Sequence, residues 1–403
     1  MSQPSEDAGD VSYVSVLTTP TLVAMMLSVF VVMFGYEIPA PILTSIAEGL
    51  AVSDAQIGLI MTAFAVPGVL FLPVTGVAAD LYGRKAVLVP SLVGFGIAGT
   101  AIGLTDSFVV VLALRVVQGT AFAGILPISV VVLGDTFKGA RGSAAQGFRT
   151  SAAGAATLVV PPAAGFLAGF GWAFAFGLHL LVFAVAAVVL LFVPETVEST
   201  ETGPGIFETM RSYAVTIKTE LKDRQLGILV AGGFVRGFVR LAFLTFIPLF
   251  AVRAFDASLV EAGLVLSARG VARVLFPPLS GIVTGRFSRR FGVIGALLII
   301  GASAAAMPFS PSILWIGLIL FGYAVGDSFF SPLLKDAVAN HAPDERRAGV
   351  INAFFVFQNS GEMVAPAFFG AVLAVIGFTG VFFTMAAVVA VYIAAVVVFF
   401  ASG

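Results

Sequence analysis

Cysteine is absent from this 403-residue chain, which excludes disulfides, thiolate metal sites and thiol redox chemistry. Charge is nearly as scarce. Asp, Glu, Lys and Arg make up 11% of the residues, against about 25% in soluble domains, too little polar surface to cover a water-soluble fold. The two histidines, His179 and His341, stand at no ligand-like spacing, and there is no Asp-x-x-x-Asp pair and no Walker loop. Neither a metal site nor the clustered acid–base groups of a membrane-embedded enzyme is therefore expected, and no nucleic-acid partner. Residues 1–19 lack a basic start and a cleavage pattern, so no signal peptide is expected.

What fills the chain instead is apolar: 59% hydrophobic residues and a mean hydropathy of +1.08. Apolar stretches of roughly 20 residues read as membrane-spanning helices. Twelve are predicted, at 20–46, 55–79, 85–105, 107–134, 144–169, 172–193, 225–252, 258–284, 290–307, 312–334, 347–375 and 378–401. The predicted organisation is a tail at 1–19, a six-helix bundle at 20–193, a linker at 194–224 and a second six-helix bundle at 225–403. Within the linker, Ile206, Phe207, Met210, Tyr213, Ile217 and Leu221 recur at helical spacing, as in an amphipathic helix lying on a membrane surface; a passive tether is the alternative.

Basic residues orient the chain. Loops on the side of the termini hold 14 of the 21 Lys and Arg, the opposite loops hold only Arg253, and six lie inside helices. Both termini are thus expected to be cytoplasmic, in a multi-pass protein of the cytoplasmic membrane.

The two halves echo each other. Residues 53–85 align without gaps onto 258–290, an offset of 205, with 11 identities in 33 positions, among them Gly58/Gly263, Gly76/Gly281 and Arg84/Arg289. The offset persists at Pro127/Pro332, Pro161/Pro366 and Gly165/Gly370. A duplicated membrane half is a mark of transporters. The turn Gly76-x-x-x-Asp80-x-x-Gly83-Arg84-Lys85 resembles motif A of the major facilitator superfamily, and Gly281, Arg289 and Arg290 repeat part of it, with Gly285 in place of the acid. Arg115-Val-Val-Gln118-Gly119 in the fourth helix resembles that superfamily's motif B. Gly154, then Pro161-Pro162-x-x-Gly165, resembles the antiporter signature motif C, with Pro161 in place of its first core glycine and Phe166 in place of its last; a proline kink packed by small residues accounts for it equally.

The resemblance implies an all-α integral membrane fold of twelve helices in two pseudo-symmetric six-helix bundles, akin to the drug/proton antiporter branch. It also implies a cytoplasmic gate at Gly76, Asp80, Gly83, Arg84 and Lys85, and a cavity lined by helices 1, 4, 7 and 10. Read physically, glycines at 76 and 83 allow close approach and a tight turn. Asp80 can accept from amides at a neighbouring helix N-terminus, Arg84 and Lys85 can pair with acids or lipid phosphates, and Asp135 and Arg141 are expected as local partners of the turn.

The embedded charges other than Arg149, together with Gln118, are candidates for the substrate and proton pathway. The acids are Glu37, Asp327 and Glu362; the cations are Arg115, Arg149, Arg236, Arg240, Arg269 and Arg273. Charges inside a membrane are costly and face partners or cavities. Glu37, ahead of Pro39 and Pro41, is a candidate counter-ion for Arg115, and those prolines free carbonyls toward a cavity. Arg236/Arg240 and Arg269/Arg273 each share a helical face at i,i+4 spacing. Three acids against six arginines leave an excess of positive charge that water or an anionic ligand must offset, and Arg149 and Arg273 are placed to snorkel.

The expected function is secondary transport of a small organic molecule by alternating access, driven by the proton gradient without a cofactor. Export of drug-like or amphipathic compounds by a monomer is one reading. An organic-anion symporter or facilitator is another, and a sensor that has lost transport is a third.

Overall fold

The computed structural model describes residues 16–196, 211, 224–276, 289–341 and 347–401. Apart from residue 211, the predicted linker helix at 206–221 lies outside these residues, as do the second motif copy's Gly281 and Gly285. The described residues are helical almost throughout, with no strand among them. Among the described residues, nine helices are long and apolar enough to cross a bilayer, ten when the bent pair Asp54–Leu70 and Leu72–Tyr82 is one span.

In chain order the first half contains α1 (Pro20–Gly49), α2 (the bent pair), α3 (Arg84–Ile102), α4 (Phe108–Thr136), α5 (Gly139–Ala168) and α6 (Trp172–Phe192). The second half contains α7 (Arg224–Phe255), α8 (Leu259–Leu275), α9 (Arg289–Ala306) and α10 (Ile313–His341). A continuous segment, Arg347–Ala401, breaks at Gly377, whose φ of 68° is non-helical. It therefore forms two spans, α11 (347–376) and α12 (378–401). With α8, whose apolar sequence continues past the described residues, the twelve predicted spans are all represented.

The spans are broken where the sequence requires it. In α1 the α-helix stops at Val32, resumes at Phe34–Glu37, passes through a 3₁₀ turn at Ala40–Ile42 and resumes at Leu43. Pro39 and Pro41 have no N–H to donate four residues back, to the carbonyls of Gly35 and Glu37. The helix opens beside its only buried acid.

The 205-residue repeat is structural as well as sequential. Ser53 caps α2 in a reciprocal capping box with Gln56, and Ser258 caps α8 in the same box with Glu261. The turns before them place Ala51 and Asp256, again equivalent, at φ of 52° and 51°. Each box satisfies helix-end amides that would otherwise be orphaned.

The halves meet along two equivalent helix pairs, α2 with α11 and α5 with α8. A Cβ on Gly58 would lie 2.9 Å from the Pro366 carbonyl, and one on the equivalent Gly263 would lie 2.5 Å from that of Pro161. A Cβ on Gly165 would meet Leu259, and one on Gly370 would meet Ala55. The expected kink residues Pro161, Pro366, Gly165 and Gly370 thus lie on the seam; Pro162 continues α5 beside them. Glycine is needed there because any side chain would force the backbones apart.

Candidate functional site

Among the described residues, three arginine–carboxylate pairs occupy the interior. Arg236 of α7 forks onto Asp327 of α10, its Nε and Nη2 donating to the two carboxylate oxygens at 2.6 and 2.9 Å. Its Nη1 donates to Gln358 of α11 at 2.8 Å. Gln358 donates to Glu362 at 3.2 Å, and Arg240 reaches Glu362 through Nε at 3.0 Å and Nη2 at 2.6 Å. The Arg240 guanidinium also sits 5.7 Å from the ring centroid of Tyr36 in α1, a cation–π contact across the halves. Forked geometry is what arginine offers a carboxylate, and it makes strong pairs when water is excluded.

The third pair joins the two halves directly. Arg269 of α8 donates to Glu37 of α1 at 2.8 Å, and both side chains are nearly sealed from solvent, 4% and 3% exposed. Thr157 of α5 donates to the other Glu37 oxygen at 3.1 Å. Glu37 therefore does not pair with Arg115, as its depth in the helix suggested. The opened turn of α1 directs it toward α8.

Arg115 is satisfied another way. It is fully buried. Its Nη2 donates at 2.7 Å to the Gly35 carbonyl, the acceptor that Pro39 leaves without a helical donor. Its Nε donates to the Ile60 carbonyl at 3.0 Å, and its Nη1 to Gln118 at 2.6 Å. Gln118 lies 2.7 Å from His179 Nε2, and His179 Nδ1 is 3.0 Å from the Phe176 carbonyl. Because that carbonyl only accepts, Nδ1 carries the proton and Nε2 accepts from the Gln118 amide. The guanidinium also lies 4.4 Å from the Phe64 ring centroid. Arg115 and Gln118 thus form a knot joining α1, α2, α4 and α6 inside the first half rather than lining the space between halves, and the carbonyl freed by Pro39 goes to this knot.

The face carrying the 80–85 turn is termed the basic face here. Asp80 pairs with Arg84 one turn on, and Arg84 also lies 3.7 Å from Asp135. The carboxylate accepting at a helix N-terminus is Glu195, not Asp80. It receives the Arg84 amide at 2.7 Å and the Lys85 amide at 3.1 Å, where the start of α3 favours an anion. Gly83 has a φ of 104°, and a Cβ there would strike the Glu195 carboxylate. Gly76 instead faces open space, where a Cβ would meet nothing within 4 Å; the close approach expected there is made on the other face. Arg141 and Arg290 are exposed. Arg289 opens α9.

On the opposite face, Arg253 at the end of α7 forks onto Asp54 at 2.8 and 3.0 Å and donates to Glu48 at 2.7 Å. Glu48 and Arg253 are themselves 205 residues apart. Among the described residues, the ion pairs joining the halves are these and Glu37–Arg269; none lies on the basic face. This conformation is closed at the opposite face.

Residues 25–260 and, overlapping them, 229–402 match the Major Facilitator Superfamily. The chain belongs to that family. The "Bacillibactin exporter" of Bacillus subtilis (strain 168) is 23% identical over 367 residues, covering 87% of this chain and 89% of that protein. The "Quinolone resistance protein NorA" of Staphylococcus aureus (strain MRSA252) is 21% identical, covering 85% and 87%. The solved structure of a point mutant of the nucleoside transporter NupG shares the fold, with a TM-score of 0.77 at 15% identity, covering 94% of this chain and 99% of that one. The protein is a multi-pass membrane transporter of this superfamily, not an enzyme.

Several residues of the site go beyond the sequence reading. Gln358 precedes Glu362 by one helical turn, a spacing that is available to read. Thr157 is the equivalent of Glu362 in the repeat, and Glu48 the equivalent of Arg253. Tyr36 and Glu195 carry no such signal.

Proposed function

We propose that the protein is a proton-coupled secondary transporter that exports small amphipathic molecules from the cytoplasm by alternating access. The basic face is the cytoplasmic side, following the distribution of Lys and Arg, so both termini are cytoplasmic and the membrane is the plasma membrane. The units that rock are the bundles 20–193 and 225–403, within one monomer, and the energy source is the proton gradient. The relatives described as an exporter and a resistance protein support the outward direction.

The observation that carries the coupling is the buried Glu37–Arg269 pair. It is the one ion pair among the described residues that joins the halves while nearly sealed from solvent. Protonating Glu37 removes one charge of that pair and leaves Arg269 uncompensated, so proton occupancy and closure of the opposite face bias one another. Asp327 and Glu362 hold arginines within the second half and tune the same network.

The test uses purified protein in proteoliposomes with an imposed pH gradient and three matched pyrene amphipaths: cationic pyrenebutyltrimethylammonium, neutral pyrenebutanol and anionic pyrenebutyrate. Gradient-driven movement of at least one is expected. Glu37→Gln should lose the gradient-driven component while retaining downhill exchange. Transport that is unchanged after an ionophore collapses the gradient overturns the coupling.

A further inference from the structure

The embedded charges do not cancel. Each of the three interior acids is taken by one arginine, leaving Arg115, Arg149 and Arg273. Arg115 is sealed within its carbonyl and glutamine knot. Arg149 is half-buried and donates through Nε to Gln146 at 2.9 Å. Arg273 is half-buried and has no hydrogen bond or ion pair among the described residues. Among the described residues, the charges that act on it most are Arg240, Arg269 and Arg236, opposed by Asp327, and Asp327 is already forked by Arg236. A guanidinium so placed, inside the predicted span 258–284 and among like charges, is costly until an anion joins it or its head reaches water.

Its direction follows from its neighbours. Arg273 stands one turn from Arg269 on the same face of α8, and Arg269 meets Glu37 of α1. That face is turned toward the seam between halves. Helices α5 and α8 run antiparallel there, with Gly165 beside Leu259, Gly263 beside Pro161, Gly270 beside Leu158 and Gly154 beside Val274. This register sets Arg273 level with about residue 155 of α5. Arg149 then lies about six residues, or ~9 Å, nearer the basic face. One uncompensated cation is supplied by each half. Phe276, a turn beyond Arg273, packs edge-on against Phe321 and Phe329 at 5.9 and 6.0 Å between centroids, an apolar wall beside the charge.

We propose that Arg273, seconded by Arg149, receives the carboxylate or phosphate group of an amphipathic organic anion, whose apolar body lies along the aromatic wall. This deepens the transporter reading and rests on it for the ligand's passage, but binding itself needs no gradient. Arginine suits the role because its planar fork matches both oxyanions.

Equilibrium binding to the purified full-length protein, followed by pyrene fluorescence, tests it. Wild-type protein should prefer pyrenebutyrate to pyrenebutanol. Arg273→Ala should weaken pyrenebutyrate binding roughly tenfold to a hundredfold, as expected for loss of a charged hydrogen bond, and leave pyrenebutanol within about twofold. Arg273→Lys, which keeps the charge but not the fork, should fall between, and Arg149→Ala should show a smaller loss. Because an uncompensated charge is removed, the unliganded Arg273→Ala protein should melt no lower than wild type, which separates this from misfolding. Glu37→Gln frees Arg269 beside Arg273 and should strengthen the anion preference while losing proton-driven transport, so the two readings fail separately. Equal affinity of wild type for the two pyrenes, or an unchanged ratio in Arg273→Ala, overturns the proposal. Full displacement of pyrenebutyrate by millimolar inorganic phosphate overturns the amphipathic part of it.

Discussion

Replacing Arg253 by alanine should shift the protein toward a state open at the opposite face. In the closed state its guanidinium forks onto Asp54 and donates to Glu48. The side chains of Arg253, Asp54 and Glu48 are 36%, 26% and 65% exposed, so solvent screening keeps the contributions small. An exposed pair is worth about 0.2–1 kcal/mol. The fork places Asp54 at the upper end and the more exposed Glu48 near the lower, giving about 1–1.4 kcal/mol. Removing it should raise the ratio of open to closed molecules roughly five- to tenfold. The absence of cysteine makes the measurement clean, because nitroxides placed on Ser107→Cys and Ala254→Cys are the only labels. Both positions are exposed and lie on the opposite face in different halves, and Ser107 makes no side-chain cap bond. Double electron–electron resonance in nanodiscs should show a longer-distance population grow in the Arg253→Ala background, and high salt should move the wild type part of the way. An unchanged distance distribution would refute the idea that this contact holds the face closed.

Three further outcomes follow from the packing and the charge network. Arg115→Met leaves the Gly35 carbonyl and the Gln118 oxygen without their donors in the buried knot, and should cost about 3 kcal/mol or more at roughly 1–3 kcal/mol per unsatisfied group; a thermal midpoint in detergent equal to wild type contradicts the knot. Gly263→Val introduces a Cβ 2.5 Å from the Pro161 carbonyl, so it should part α5 from α8 and favour the open opposite face in the same spin-label experiment, with an unaltered distribution counting against the seam. Asp80→Asn weakens a pair whose acid is 59% exposed, so stability should change by less than about 1 kcal/mol while transport falls through an altered balance of states; normal transport removes the gating role.

Span number and the duplicated plan could be read from hydropathy and the 205-residue offset because both depend on composition along the chain. Pairing among the buried charges could not, because it depends on how each helix is rotated and where it bends. Glu37 illustrates the difference. Its depth suggested Arg115, yet the two prolines after it open α1, and the acid meets Arg269 on a helix 232 residues away. The partner of Arg115 was accessible to simple counting, since Pro39 stands four residues after Gly35 and leaves that carbonyl free. Arg84 and Asp135 came together as the turn chemistry suggested, whereas Glu195 arrived from the end of α6, where nothing local marks it as a helix cap. The asymmetry of the site was also visible in part: the capping serines, seam glycines and prolines are repeated, while the positions equivalent to Glu37, Arg115 and Arg273 are Ala242, Leu320 and Gly68.

The Glu48–Arg253 contact joins two positions that the duplication makes equivalent. Equivalent positions touch each other only on the pseudo-two-fold axis that relates the halves. In an assembly of two identical halves, an isologous interface would set this residue against its own copy, glutamate facing glutamate or arginine facing arginine. Opposite charges on the axis are available only where the two halves have diverged, as they have in this chain. This closure is a property of the fused molecule that no symmetric pair of half-length chains could possess.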